Sequence, residues 1–172
     1  EVIEILLAYD KEGVRVDVNA RNNNGETALI RAVENGNTDI VATLVDAGAD
    51  MNIRDNDGNT PLIRASMIGE EYILAVLLDL GADVNAQSNA GDTALIMASR
   101  RGHYDIVEML LTDNSYWDVG GIYRIVMAWG TDVNARNNEG ETALSVVHNP
   151  SETEDIGLLL LDAGAIVSHE SD

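Results

Sequence analysis

Three histidines, one lysine, two tryptophans and no cysteine are what this 172-residue chain offers for chemistry. His103 precedes an apolar run, His148 lies between Val147 and Asn149, and His169 stands in the last five residues. No two of them share a spacing that would ligate one metal or serve one nucleophile, and no serine sits in a nucleophile-elbow pattern. Without cysteine, disulfides and thiolate metal sites are excluded. The turn Asp55-Asn56-Asp57-Gly58 invites a calcium reading. An EF-hand loop with Gly58 sixth would, however, begin at Ile53 and end at Arg64, and neither is a suitable ligand. No glycine-rich loop leads into Lys-Ser or Lys-Thr, so nothing cradles a phosphate. Hence no catalytic residue, cofactor or metal is assigned. What remains is recognition chemistry: Arg100 and Arg101, the apolar pair Met67 and Ile68, Trp129, and acidic or amidic turns.

Those residues sit at fixed places in a recurring unit. Thr27, Thr60 and Thr93 are 33 residues apart, as are Gly25, Gly58 and Gly91, and Asn19, Asn52 and Asn85. Within Asp55–Gln87, a turn ending at Gly58 feeds a helix capped by Thr60 with Pro61 first, and Gly69 ends that helix. Leu62 and the small Ala65 share one face. A second helix over about Tyr72–Leu80 presents Ile73, Leu74, Leu77 and Leu78 at helical spacing and stops at Gly81 in a left-handed cap. Such a pair cannot bury its apolar face alone, so the units must stack into one elongated core.

A 33-residue period carrying Thr60-Pro61-Leu62 near its start and Gly81-Ala82-Asp83-Val84-Asn85 at its end resembles the ankyrin repeat. The resemblance implies an all-α fold, a solenoid of stacked helix-turn-helix units with β-turn or hairpin tips. One departure runs through the array: Ile30, Ile63, Ile96 and Ser145 replace the family's histidine after Thr-Pro-Leu. The chain reads as a single domain over 1–172, with a partial repeat at 1–21 and full repeats at 22–54 and 55–87. A repeat at 88–136 follows, and a degenerate capping repeat spans 137–172. Asn85 and Asn134 are 49 residues apart, so the third repeat holds a 16-residue insertion, Thr112–Met127. It gathers Tyr116, Trp117 and Tyr123 near Trp129. Glu1–Leu7 matches the second helix of a repeat, and the expectation is that the first half lies in a missing upstream segment.

Thirty acids against ten bases give a formal charge of −20. A nearly uniform negative surface repels phosphate, which removes nucleic acid as a partner; the plain reading of the acidity is solubility, and the sharper one is a basic protein partner. No run of 18 apolar residues exists, so membrane insertion is not expected. The chain is read as soluble and monomeric, with the cytoplasm marginally favoured and any signal upstream of Glu1 out of view.

The resemblance implies a non-catalytic protein–protein interaction scaffold that binds through its concave face and turn tips. The alternative is a regulatory or docking region of a larger, enzymatic chain whose N-terminal part is absent. By the resemblance the contact set is Arg54, Asp57, Asn59, Asn89 and Asp92 at the tips, with Glu34, Asn35, Met67, Ile68, Arg100 and Arg101 on the first helices. Arg21, Asn23, Glu26, Gln87, Arg136, Glu139 and Glu141 extend the tips, and Trp129 is placed at the edge. The expected hot spot is Met67, Ile68, Arg100, Arg101 and Trp129, because hot spots favour Trp and Arg near the middle of an interface.

Overall fold

The computed structural model describes residues 17–112, 129–147 and 150–167, the side chains of 150–154 excepted. Glu1–Leu7, Tyr116, Trp117, Tyr123, His148 and His169 lie outside the described residues.

Seven helices occur among those residues: α1 (Ala28–Glu34), α2 (Thr38–Asp46), α3 (Pro61–Ile68), α4 (Glu71–Asp79), α5 (Ala94–Arg101), α6 (Tyr104–Leu111) and α7 (Pro150–Asp162). The threonine period is a capping period. Thr27, Thr60 and Thr93 are extended, and each hydroxyl accepts from the amide three residues on, at Ile30, Ile63 and Ile96. One orphan donor per helix is thereby satisfied. Gly69 ends α3 in the left-handed conformation, as the spacing predicts.

First helices pack on first helices, α1 on α3 on α5, and second helices on second helices, α2 on α4 on α6 on α7. Leu29, Ile30, Leu62, Ile63, Leu95 and Ile96 are fully buried in the first row. Ile73, Leu74, Leu77, Ile106, Leu110 and Leu111 are fully buried along the second. Each contributes about 1.5–3 kcal/mol by leaving water. The isoleucines that replace histidine are therefore core residues, and their loss of a polar partner is offset by burial. Ala65 and Ala98 are fully buried between neighbours, where the missing side chain lets helices approach.

The tips are hydrogen-bonded turns, and no β-strand occurs among the described residues. Each closes twice: Gly58 N donates to Asp55 O and Asp55 N to Asn59 O, both at 3.0 Å. Gly58 lies at φ 81°, and a Cβ there would collide with Asn89 and the Arg54 guanidinium, so both conformation and space demand glycine.

On the far side, the recurring asparagines splice one repeat to the next. The carboxamide oxygens of Asn19, Asn52, Asn85 and Asn134 accept from the backbone N–H of Asp50, Asp83, Asp132 and Ile166, at 2.8–3.0 Å. These pairs are 31, 31, 47 and 32 residues apart. The same atoms thus meet across 113–128 as elsewhere, with sixteen residues more between them.

The last repeat departs from the pattern. Residues 143–146 form one turn where the others have a helix, Val146 N donating to Thr142 O at 3.2 Å. Ser145 stands where the others place a buried isoleucine, and its hydroxyl accepts from Thr142 N (2.8 Å) and donates to Thr142 O (3.0 Å). A side chain that bonds its own local backbone competes with the helical ladder.

A protein-binding surface on the turn tips and first helices

Every tip begins with a residue whose side-chain oxygen accepts two backbone N–H groups, and that choice determines the surrounding charges. In the second repeat this residue is Asp55: Oδ1 accepts from Asp57 N and Asn59 N, both 2.9 Å. Its other oxygen takes Arg64 Nε at 2.9 Å and Nη2 at 2.6 Å. Both carboxylate oxygens are thus occupied by N–H donors. Arg64 continues to Glu34 and Asp57, each at 3.7 Å, and Glu34 pairs with Arg31 at 2.7 Å. Burial pulls the Arg64 pKa down, but the hydrogen bond and charge of Asp55, then Glu34 and Asp57, outweigh it and the net direction is up.

At the fourth tip the residue is Asn137, whose oxygen accepts from Glu139 N and Glu141 N. Its amide then donates to Asp92 and Glu141, at 2.9 and 2.8 Å. Arg100 closes the group, reaching Asp92 at 3.1 Å and Glu141 at 2.7 Å. The hydrogen bonds that Arg100 donates to Asp92 raise its pKa further than burial lowers it. Glu141 falls below the usual carboxylate value through the Asn137 amide, assisted by Arg100.

A second ladder runs along the tips. Asn56, Asn89 and Asn138 donate their carboxamide N–H to Asn23 O, Asn56 O and Asn89 O, each at 2.9 Å. Arg54 donates to Gly58 O in its own turn and to the Asn89 carboxamide oxygen at 3.0 Å, and Arg21 and Gln87 bridge in the same way.

These bonds divide the residues expected at the contact. Arg54 and Asn89 are exposed, but their polar atoms are held in the tip ladder. Asn59 and Asp92 are buried at 7% and 8% exposure. Arg100 is held by two carboxylates, and Glu34 by two arginines. Asp57 projects from its tip with 81% of its side chain exposed. Asn35 caps α1, its side chain donating to Arg31 O at 2.7 Å. Met67 is half-buried against the core, and its carbonyl lies 3.3 Å from His103 Nε2, so the Gly-His histidine clamps the end of α3. Ile68 projects at 44% exposure. Arg101 is exposed and has no ion-pair partner among the described residues.

Trp129 is seated elsewhere. Its indole N–H donates to Met109 O and Thr112 O, both 3.1 Å, at the end of the second-row helix α6. The ring closes the α6 terminus, where unpaired carbonyls need donors. This bond does not join it to the first-helix row. Sequence reasoning passed over Arg31 and Arg64: Arg31 pairs with Glu34 in its own helix, while Arg64 reaches back to Asp55 and Asp57 on the tip and across to Glu34 of the preceding repeat.

Charge is segregated by row. All seven described arginines, Arg21, Arg31, Arg54, Arg64, Arg100, Arg101 and Arg136, lie on tips or first helices. Among the described residues, the second helices and the loops after them carry acids and no lysine or arginine.

Two family models match the chain: ankyrin repeats (many copies) over residues 11–65, and ankyrin repeats (3 copies) over 48–120. The chain belongs to the ankyrin-repeat family, and ankyrin repeats are in general protein–protein interaction modules, typically without catalysis. No curated protein matches it at a level that marks a relative. Among the described residues no helix is long and apolar enough to cross a membrane.

Proposed function

We propose that the whole chain, 1–172, is one non-catalytic scaffold that acts as a monomer and recognises a protein partner along its turn tips and first helices. The contact centre is Met67, Ile68 and Arg101, at the C-terminal ends of α3 and α5. Asn35 and Asp57 flank it, while Glu34, Arg54, Asn59, Asn89, Asp92 and Arg100 keep the surface in shape. The observation that carries this reading is Ile68. An isoleucine with nearly half its surface in water stands where the neighbouring repeats place Asn35 and Arg101, so folding alone does not ask for it. Arg101 beside it supplies a cation whose hydrogen bonds are available to a partner.

A photo-crosslinking residue at position 68, with position 79 of the second row as control, tests this in an extract of the native source. Mass spectrometry then identifies the captured protein. A partner captured from 68 and not from 79 is the expected result, and equal capture would count against the proposal. With that partner purified, Met67→Ser with Ile68→Asn should weaken binding by at least about tenfold, roughly 1.4 kcal/mol, at an unchanged melting midpoint. A smaller loss overturns the assignment of the centre.

A further inference from the structure

The edge of the last repeat holds a second apolar surface. Leu161 stands three residues before Gly164, as Leu78 stands before Gly81, and Val167 three after, as Val84 and Val133 follow Gly81 and Gly130. Leu78, Val84 and Val133 are 3%, 6% and 4% exposed, whereas Leu161 and Val167 are 44% and 54%. The backbone there is nonetheless held as in the inner repeats. Asn134 accepts from Ile166 N at 2.9 Å and donates to Gly164 O at 3.2 Å, the splice that Asn85 makes to Asp132 and Gly130. Leu158 and Ile166 add to the patch at 56% and 66% exposure.

We propose that this edge, Leu158, Leu161, Ile166 and Val167 with Asp155 and Asp162 beside them, docks an amphipathic helix of a partner protein whose apolar stripe is flanked by Lys and Arg. The apolar part calls for a helix laid against α7, as α7 lies against α6. Charge decides what flanks the stripe. Asp155 and Asp162 are exposed, and α7 and its loop contain no base. A second copy of this chain would bring another −20 to that edge, and juxtaposed like charges oppose association. Acids of both α6 and α7 act on Tyr104: burial raises its hydroxyl pKa, and Glu108, Asp155 and Asp105 raise it further.

The test uses the full chain and three labelled synthetic peptides read by fluorescence anisotropy. One has leucines at i, i+3, i+4 and i+7 with flanking lysines and arginines, one the same stripe with flanking glutamates, and one the basic composition scrambled. The basic amphipathic peptide should bind at least about tenfold more tightly than either control, and weaken as salt screens the charges. Hydrogen exchange should show new protection at 158–167, and Leu161→Ser with Val167→Ser should lower affinity at least tenfold with the melting curve retained. Equal binding of the scrambled or acidic peptide overturns the proposal, as does an unaffected double variant. So do protection confined to another region and self-association of the chain alone in sedimentation.

Discussion

The repeat at 55–87 and the stretch 137–167 are written in the same motif, yet they hold together differently. In the middle repeat Thr60 starts a full helix, Ile63 fills its underside, and each neighbour covers one flank. In the last, Thr142 starts a single turn, Ser145 bonds its own backbone, and α7 packs chiefly against α6 among the described helices. A residue's burial in this array is therefore set by which neighbours flank its repeat, and only secondarily by its place in the motif. Stability in such a stack is a sum over nearest-neighbour interfaces.

The sharpest probe of that difference is one substitution made in both places. Leu78→Ala should cost about 2–5 kcal/mol, the usual range for a buried leucine. Leu161→Ala, at the matching position but half in water, should cost less than about 1 kcal/mol. Urea midpoints of the two variants measure the contrast directly, and equal shifts would break the comparison. Next in size is Ala65→Leu, which pushes a side chain into the fully buried gap beside α3 and should destabilise by about 1–3 kcal/mol. An unchanged midpoint would contradict the register in which α1, α3 and α5 stack.

Much of this was legible because a 33-residue period repeats local rules. Threonine caps, helix-stopping glycines and apolar positions at helical spacing need only their own segment, and all three fall where the sequence predicts. The contact surface was less legible because its state depends on residues far along the chain. Asp92 reads as an exposed tip acid until Arg100 and Asn137 fold over it. Arg100 reads as a free cation until Glu141, 41 residues on, takes its second N–H group. Trp129 has the position of a rim residue, but only the structure shows the Met109 and Thr112 carbonyls that hold it to α6. The recurring asparagines signalled the period without revealing that they join each repeat to the next.

The two tips that carry the charge networks separate smaller effects. Asp55→Asn keeps the oxygen that accepts Asp57 N and Asn59 N, as Asn22 and Asn137 do naturally, but removes the partner of Arg64. A loss of about 1–2 kcal/mol is expected at neutral pH. A double-mutant cycle with Arg64→Gln should assign most of it to that pair. The smallest effect is at the last tip. Glu141 titrates below its ordinary 4.5 in the folded state. Its stabilisation is therefore fully present above that value and is lost as pH falls through the lower, folded one. Glu141→Gln should flatten the acid limb of stability against pH in that window and lower neutral stability slightly, the contribution that the carboxylate makes there. A limb unaltered in shape would remove the Arg100–Glu141 link from the account.

The asparagine splice across 113–128 also bears on the order in which the array assembles. Bonds between successive repeats close loops of similar length, so folding should nucleate on two adjoining repeats and propagate outward as a zipper. At one junction the loop to be closed grows from 31 to 47 residues, which costs only roughly 0.4 kcal/mol of additional closure entropy. Propagation should pause briefly there and continue, so that refolding after a jump out of denaturant shows the segment before Thr112 acquiring exchange protection slightly ahead of the segment after Trp129.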